Sequence, residues 1–336
     1  MGEVIAIPDF DEITDAAFPD SNTSLQIFPL KREPPIVIGL VSCDRIGEYK
    51  SAFLATTMIK SVLVSAEIYG VSQVEFHIFI EADTSGYFMS RLQDFGYAKK
   101  DRKNRVHVRV NFHPILDAIP ENFQKEFLYS RKNAHWRGGF ARLLYATNLP
   151  AVDSIIHLDT DIIITGDITQ LWSFLGKMDD GHMLAVAPAA EPDEKFFDKL
   201  YQYHFADIPH VKPWGLNTGV LVMNLTRMRR DGWEKIVFDT YDYYSKRFDL
   251  RNSDGRIMNI ILANHRDIFI FLTCQFNYEY IHCDNGQNCK HALEDPNGIQ
   301  LVHGAGFQFQ KKRASLHKVF EFFEQYDMAT KMSGRA

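Results

Sequence analysis

Residues 154–164 read Ser154-Ile155-Ile156-His157-Leu158-Asp159-Thr160-Asp161-Ile162-Ile163-Ile164, and the reading of this stretch decides the fold. A continuous apolar run of this kind is a strand buried on both faces, so acids at its end need a reason. In an extended chain successive side chains alternate, which puts Asp159 and Asp161 on one side with Thr160 opposed. Two carboxylates on one side repel unless a cation lies between them. Mg²⁺ and Mn²⁺ meet that need, because they take oxygen ligands, are held by one or two carboxylates and complete their shell with substrate phosphates. The expectation is a metal-diphosphate site. Asp9-Phe10-Asp11 has the same spacing in an acidic, turn-rich setting, so the buried strand carries the reading and the spacing alone does not. His157 shares the parity of the two acids but lies inside the apolar run, and is expected to be a core histidine outside the site.

Towards the N-terminus, the segment 136–145 is expected to pass from a loop into a helix ending near Asn148-Leu149-Pro150. Arg142 within it can meet a phosphate, pair with Asp153 or coat the surface. Farther back, Ile36-Val37-Ile38-Gly39-Leu40-Val41-Ser42-Cys43 is a buried strand ending in Asp44. A helix over 51–69, a strand over 74–80 ending in Glu81-Ala82-Asp83, a helix over about 85–96 and a strand over 106–112 follow. Strands alternating with helices predict an α/β fold with a mainly parallel sheet, whose ligands gather beyond the C-terminal strand ends. Asp44, Asp83 and Asp159 all fall there. Neither G-x-G-x-x-G after the first strand nor G-x-x-x-x-G-K-[ST] is present, which disfavours a dinucleotide fold and a P-loop ATPase.

Towards the C-terminus, Asn217-Thr218-Gly219 precedes the apolar run Val220-Leu221-Val222-Met223. It is either a plain turn or a corner where backbone comes close to a ligand. A last strand over 298–302 ends in His303-Gly304-Ala305-Gly306, with Lys311 behind it. A histidine at a strand end can be a third metal ligand, and the lysine can meet phosphate charge.

The 336 residues include 46% apolar and 13% aromatic side chains, so the chain is globular. A formal net charge of -6 argues against nucleic acid as partner. No run of 18 apolar residues is present, and the N-terminus lacks a basic n-region and an apolar h-region. Residues 1–35 are expected to be an acidic tail or linker, with a docking segment as alternative. Residues 36–330 form the domain, and 331–336 a C-terminal tail. Cys274, Cys283 and Cys289 lie close in sequence, Cys283 and Cys289 flanking a turn-forming run. Their spacing is a poor match to zinc, so a disulfide within the group is expected, and with it an oxidising compartment. Asn22-Thr23-Ser24 and Asn224-Leu225-Thr226 fit the N-glycosylation triplet.

Taken in order, Phe76-His77-Ile78-Phe79, the run 152–162 with Leu171-Trp172-Ser173-Phe174-Leu175, the run 217–230, Cys274-Gln275-Phe276-Asn277-Tyr278 and His303-Gly304 resemble glycosyltransferase family 8, near the animal glucoside xylosyltransferases. The resemblance covers about Ile36 to Phe322. It implies a single GT-A domain that binds a UDP-sugar through Mn²⁺ or Mg²⁺ and transfers the sugar with retention to a glycan or glycoprotein acceptor, with xylose and O-linked glucose as the expected pair. By the same resemblance the metal ligands are Asp159, Asp161 and His303. Cys43, Asp44, Arg142, Thr160, Gly304 and Lys311 are expected to line the UDP-sugar, and Asp254 and Asn217 to be catalytic. Such enzymes are type II proteins of the Golgi or endoplasmic reticulum, which implies the secretory lumen, although this chain shows no membrane anchor. One departure stands out. Where the family has Asp-Gln-Asp, this chain reads Asp254-Gly255-Arg256, which predicts either a changed donor preference or a weak or inactive sugar-nucleotide binder. A nucleotide-sugar pyrophosphorylase, from another class, would also place acids at α/β strand ends but wants an N-terminal glycine-rich basic loop.

Overall fold

The structure is a computed structural model. It describes residues 4–6, 24–26, 34–44, 49–81, 84–95, 106–121, 134–189, 207–250, 254–280, 282 and 289–328. Among the sequence expectations, Asn22, Thr23, Ala82, Asp83, Ser253, Cys283 and the tail 331–336 lie outside the described residues.

The chain opens with β1 (Val4–Ala6) and β2 (Ser24–Gln26), then β3 (Ile36–Ser42), α1 (Lys50–Ile68), β4 (Gln73–Ile80), α2 (Ser85–Asp94) and β5 (His107–Pro114). Helices α3 (Ala134–Leu143) and α4 (Tyr145–Asn148) lead to β6 (Ser154–Leu158) and β7 (Ile162–Ile164). Next come α5 (Ile168–Trp172), β8 (Leu184–Pro188), β9 (Leu216–Asn224), α6 (Leu225–Arg230), α7 (Trp233–Tyr244) and α8 (Asp254–Asn264). The last elements are β10 (Phe269–Phe271), a 3₁₀ turn (Cys274–Phe276), α9 (Lys290–Glu294), β11 (Leu301–His303) and α10 (His317–Gln325).

Among the described residues, nine strands form one sheet in the order β1-β2-β5-β4-β3-β6-β9-β8-β10. The ladders joining β5, β4, β3 and β6 are parallel, as the alternation of strands and helices predicts, and β9 runs antiparallel to both β6 and β8. β1 and β2 add two short strands at the edge, from within the stretch expected as a tail.

Because each central strand is buried on both faces, its alternate side chains feed two cores. Ile36, Ile38 and Leu40 of β3 join Met58, Val62 and Ala66 of α1 on one face. On the other, Ile155, Leu221 and Met223 pack with Phe140, Leu143, Trp233 and Ile257 from α3, α7 and α8. By length and composition α1 resembles a membrane-crossing helix, yet it is a core helix here. Its Lys60 ammonium donates to the carbonyls of Glu324 (2.8 Å) and Tyr326 (3.1 Å).

Helix α3 starts earlier than expected, since Gly138-Gly139 reads as a loop in the sequence but lies in the helix. The two glycines serve close packing. A Cβ on Gly138 would collide with Cys43 and Val41, and one on Gly139 with the carboxylate of Asp254. A disulfide joins Cys274 to Cys289, with Cα atoms 5.7 Å apart, and so ties the 3₁₀ turn to α9. Asn224 of the second glycosylation triplet caps α6, its side chain accepting the Arg227 N–H at 2.9 Å.

Candidate functional site

β6 ends at Leu158, so Asp159-Thr160-Asp161 is a turn between β6 and β7 and not part of an extended strand. The alternation argument therefore does not bring the two carboxylates together. Backbone bonds hold the turn instead: Asp159 N–H donates to the Gly219 carbonyl (2.8 Å), and Gly304 N–H donates to the Asp161 carbonyl (2.7 Å). β11 then pairs antiparallel with β7, His303 opposite Ile162, which carries the imidazole to the turn. His303 Nε2 lies 3.4 Å from Asp161 Oδ1 and 3.9 Å from Asp159 Oδ2. One ligand atom from each of the three lies within 4.8 Å of the others.

The chemistry of this donor set suits a divalent cation. Two carboxylates and an imidazole give two hard oxygens and one nitrogen with net negative charge, and leave coordination positions open for phosphate and water. Asp159 and Asp161 are half-buried and His303 is buried. Burial alone would lower the His303 pKa, but the carboxylates of Asp161, Glu279 and Asp159 prevail and raise it to about 9. The two carboxylates thus favour positive charge at the His303 ring.

Beneath it sits Arg142, buried on α3. Its Nη1 donates to Asp159 Oδ1 (2.7 Å) and to the Thr218 carbonyl (3.1 Å), and Nη2 donates to Thr218 Oγ1 (2.9 Å). The same guanidinium is bonded to Asp254, the first residue of α8. Burial opposes a charged arginine, yet Asp254 and Asp159 hold it protonated beyond its ordinary range. Asp159, which burial would push up, is held well below the usual carboxylate range above all by Arg142. Asp153, offered as a partner of Arg142 by sequence position, instead accepts the Thr226 hydroxyl at 2.9 Å.

His157 belongs to this layer, contrary to its expected place outside the site. Arg142 Nη1 lies 2.8 Å from its Nε2. Arginine has only donors, so Nε2 accepts and the proton resides on Nδ1, which donates to the Tyr145 hydroxyl at 3.1 Å. Burial keeps this imidazole neutral by lowering its pKa. Parity along β6 held the signal for His157. Tyr145 and Glu279 gave none, and Thr218 showed only as part of the corner 217–219.

The other expected residues are placed as follows. Asn217 Oδ1 accepts the Gly219 N–H at 2.9 Å, and its Nδ2 donates to the buried Glu279 carboxylate. Gly219 has no room for a side chain, because a Cβ there would strike His303 and lie 3.0 Å from Asp159 Oδ2. Thr160 is half-buried in the turn, and Gly304 is buried beside it. Asp44 accepts the N–H groups of Ser51 and Ala52 at 2.8 Å each, capping α1. Cys43 is buried against Gly138. Lys311 is exposed, its ammonium 2.8 Å from the Gly306 carbonyl. Arg256 does not join Asp254. Two positions on in a helix is a rotation of about 200°, and its Nη2 reaches Asp207 at 2.6 Å.

The family description "Glycosyl transferase family 8" matches residues 47–307. The chain belongs to glycosyltransferase family 8. Within the family it is 30% identical over 279 residues to glucoside xylosyltransferase 1 of Gallus gallus, covering 79% of this chain and 59% of that protein. It is 27% identical over 317 residues to the Homo sapiens protein of that name, covering 89% and 63%. The chain thus spans about three fifths of the length of these relatives. Among solved structures it is similar to mouse xyloside xylosyltransferase 1 (TM-score 0.55, 14% identity, 82% of this chain and 99% of that one). It is also similar to the galactosyltransferase LgtC with donor and acceptor sugar analogs (TM-score 0.55, 17% identity, 86% and 95%). At such identities the likeness shows the fold alone, and that fold is GT-A, as expected. GT-A transferases use a divalent metal and a nucleotide sugar, and Asp159, Asp161 and His303 can hold the ion.

Proposed function

We propose that this family 8 chain transfers xylose from UDP-xylose, with retention of anomeric configuration, to O-linked glucose on a glycoprotein in the lumen of the secretory pathway. The observation that carries the reading is the convergence of Asp159, Asp161 and His303 over a buried Arg142 that is shared with Asp254. The names of the relatives support the donor and the acceptor. The Cys274–Cys289 bond agrees with an oxidising compartment.

Mn²⁺ bound by the triad would offset the charge that develops on departing UDP. The protein's own contribution is order. Arg142 holds the side chains of Asp159 and Asp254 in place, so the carboxylate of Asp254 offers negative charge to an oxocarbenium-like sugar without first reorganising. Asn217, held by Glu279 and by the Gly219 N–H, presents a fixed amide at the same corner. No pair of carboxylates at glycosidase spacing is needed. Cys43, Thr160, Gly304 and Lys311 complete the lining proposed for the nucleotide. Asp44 contributes by fixing α1, and Arg142 by fixing the two acids.

A second reading, a sugar-nucleotide binder of low activity, is favoured by one observation: Arg256, where the family has an acid, pairs with Asp207. The pyrophosphorylase reading falls with family membership. Release of UDP from UDP-xylose, UDP-glucose and UDP-galactose, with a glucosylated acceptor peptide and with Mn²⁺ or EDTA, separates the remaining two. Mn²⁺-dependent transfer fastest from UDP-xylose is expected. Binding without turnover supports the second reading, and transfer unaffected by EDTA rejects the metal.

A further inference from the structure

His303 faces the two aspartates through Nε2, and its other ring nitrogen, Nδ1, lies 2.9 Å from Oδ1 of Asn277. An amide oxygen can only accept, so the nitrogen that faces it carries the proton. When a cation takes the place of the Nε2 proton that Asp161 and Asp159 favour, the neutral imidazole that remains has its single N–H on Nδ1 and its lone pair on Nε2, the nitrogen turned to the cation site. Reversing the Asn277 amide would present Nδ2 to Nδ1, force the proton onto Nε2 and close the site to a metal.

Asn277 is 2% exposed, and its Nδ2 is buried with no partner among the described residues. Leaving one end of a buried amide unpaired is unfavourable, and what this amide supplies is the oxygen at its other end. The neighbours of Asn277 hold the same histidine. His303 N–H donates to the Tyr278 carbonyl (2.8 Å), and Tyr278 N–H donates to the Leu301 carbonyl (3.0 Å). Glu279, 1% exposed, binds Asn217, whose Oδ1 fixes Gly219 against the Cε1 edge of the His303 ring. Three consecutive residues thus act on the ring, the backbone and, through Asn217 and Gly219, the Cε1 edge of one ligand.

We propose that Asn277 is the positioning residue that fixes His303 in the tautomer able to bind the divalent ion, with Glu279 holding Gly219 against the ring through Asn217. This rests on the metal reading of the triad given above.

The test is a Mn²⁺ titration of the full chain without any nucleotide sugar, free ion being followed by electron paramagnetic resonance. N277L, of similar size but without the acceptor, is expected to weaken Mn²⁺ binding about 10- to 100-fold, the usual effect of removing a partner behind a metal ligand. N277D, which keeps an acceptor at that point, is expected to bind within about threefold of the native chain or more tightly. Equal binding by the native chain and N277L overturns the role of Asn277 and leaves the metal site standing. Absence of Mn²⁺ binding by the native chain overturns both. Should N277L fail to fold, the native protein still answers. With ¹⁵N-histidine and Mg²⁺, the imidazole signals missing from H303Q should show Nε2 shifting on metal addition and Nδ1 remaining protonated. A shift of Nδ1 instead refutes the proposal.

Discussion

Asp44 and Asp159 follow the C-terminal ends of neighbouring parallel strands, β3 and β6, yet they do different work. Asp44 is 7% exposed, and its two oxygens are taken by the N–H groups of Ser51 and Ala52. Asp159 gives one oxygen to Arg142 and turns the other towards His303, with its side chain 34% exposed. The place beyond a strand end is the same in both. What differs is the partner: a helix N-terminus consumes a carboxylate completely, whereas one side of a guanidinium leaves half of it for a cation.

The hardest blow to this contrast is Arg142→Met. It leaves Asp159 and Asp254 without their shared buried counter-charge, and should cost about 3–5 kcal/mol in chemical denaturation. A loss below about 1 kcal/mol would mean that the two acids do not need the arginine. Next, Asp161→Ala should weaken Mn²⁺ binding at least about a hundredfold, about 2.7 kcal/mol, with stability kept within about 0.5 kcal/mol. Unchanged Mn²⁺ affinity would remove Asp161 from the site.

The segment behind His303 offers a pH test. His282 Nδ1 accepts the Glu279 N–H at 3.0 Å, and burial lowers the His282 pKa to about 4. A histidine depressed in the folded state adds stability above its unfolded pKa and loses it as pH falls through the folded value. Between about pH 6.5 and 4 the His282 contribution should fall by on the order of 3 kcal/mol, and His282→Gln should flatten that slope. Identical slopes in denaturation at both pH limits would place the acid sensitivity elsewhere. Smallest of all, Asp44→Ala should cost about 1 kcal/mol as a lost helix cap and leave the Mn²⁺ titration untouched. If it abolishes Mn²⁺ binding, the two aspartates are not distinguished as described.

The sequence made the strands legible, because β3, β4 and β6 are apolar runs between turn signals. It also made the acids conspicuous at the end of β6. The convergence of those acids was readable only as an outcome, since its cause is a turn pinned by Gly219 and Gly304 and not strand alternation. Pairings across long separations were hidden. Arg142 and Asp254 are 112 residues apart and His303 and Asn277 are 26 apart, and no local pattern joins them. Gly138-Gly139 misled because glycine in a helix has a cost that only tight packing against Cys43 and Asp254 explains. For the disulfide, the sequence indicated a bond within the group Cys274, Cys283 and Cys289 but left the pairing open, and the bond runs from Cys274 to Cys289.

The pairing of β11 with β7 has a consequence for the order in which the molecule matures. Leu301 lies opposite Ile164, so one ladder joins chain segments made far apart in time during synthesis. Closing so long a loop is slow relative to forming the local βαβ units. All nine strands of the main sheet lie in the chain before residue 272, and the sheet does not wait for the last ligand. A nascent chain stopped short of Leu301 carries every strand of that sheet and the two aspartates, but not the histidine. Capture of the cation is therefore among the last properties the chain acquires, and metal affinity measured on ribosome-stalled lengths would appear only after residue 303 has cleared the exit tunnel.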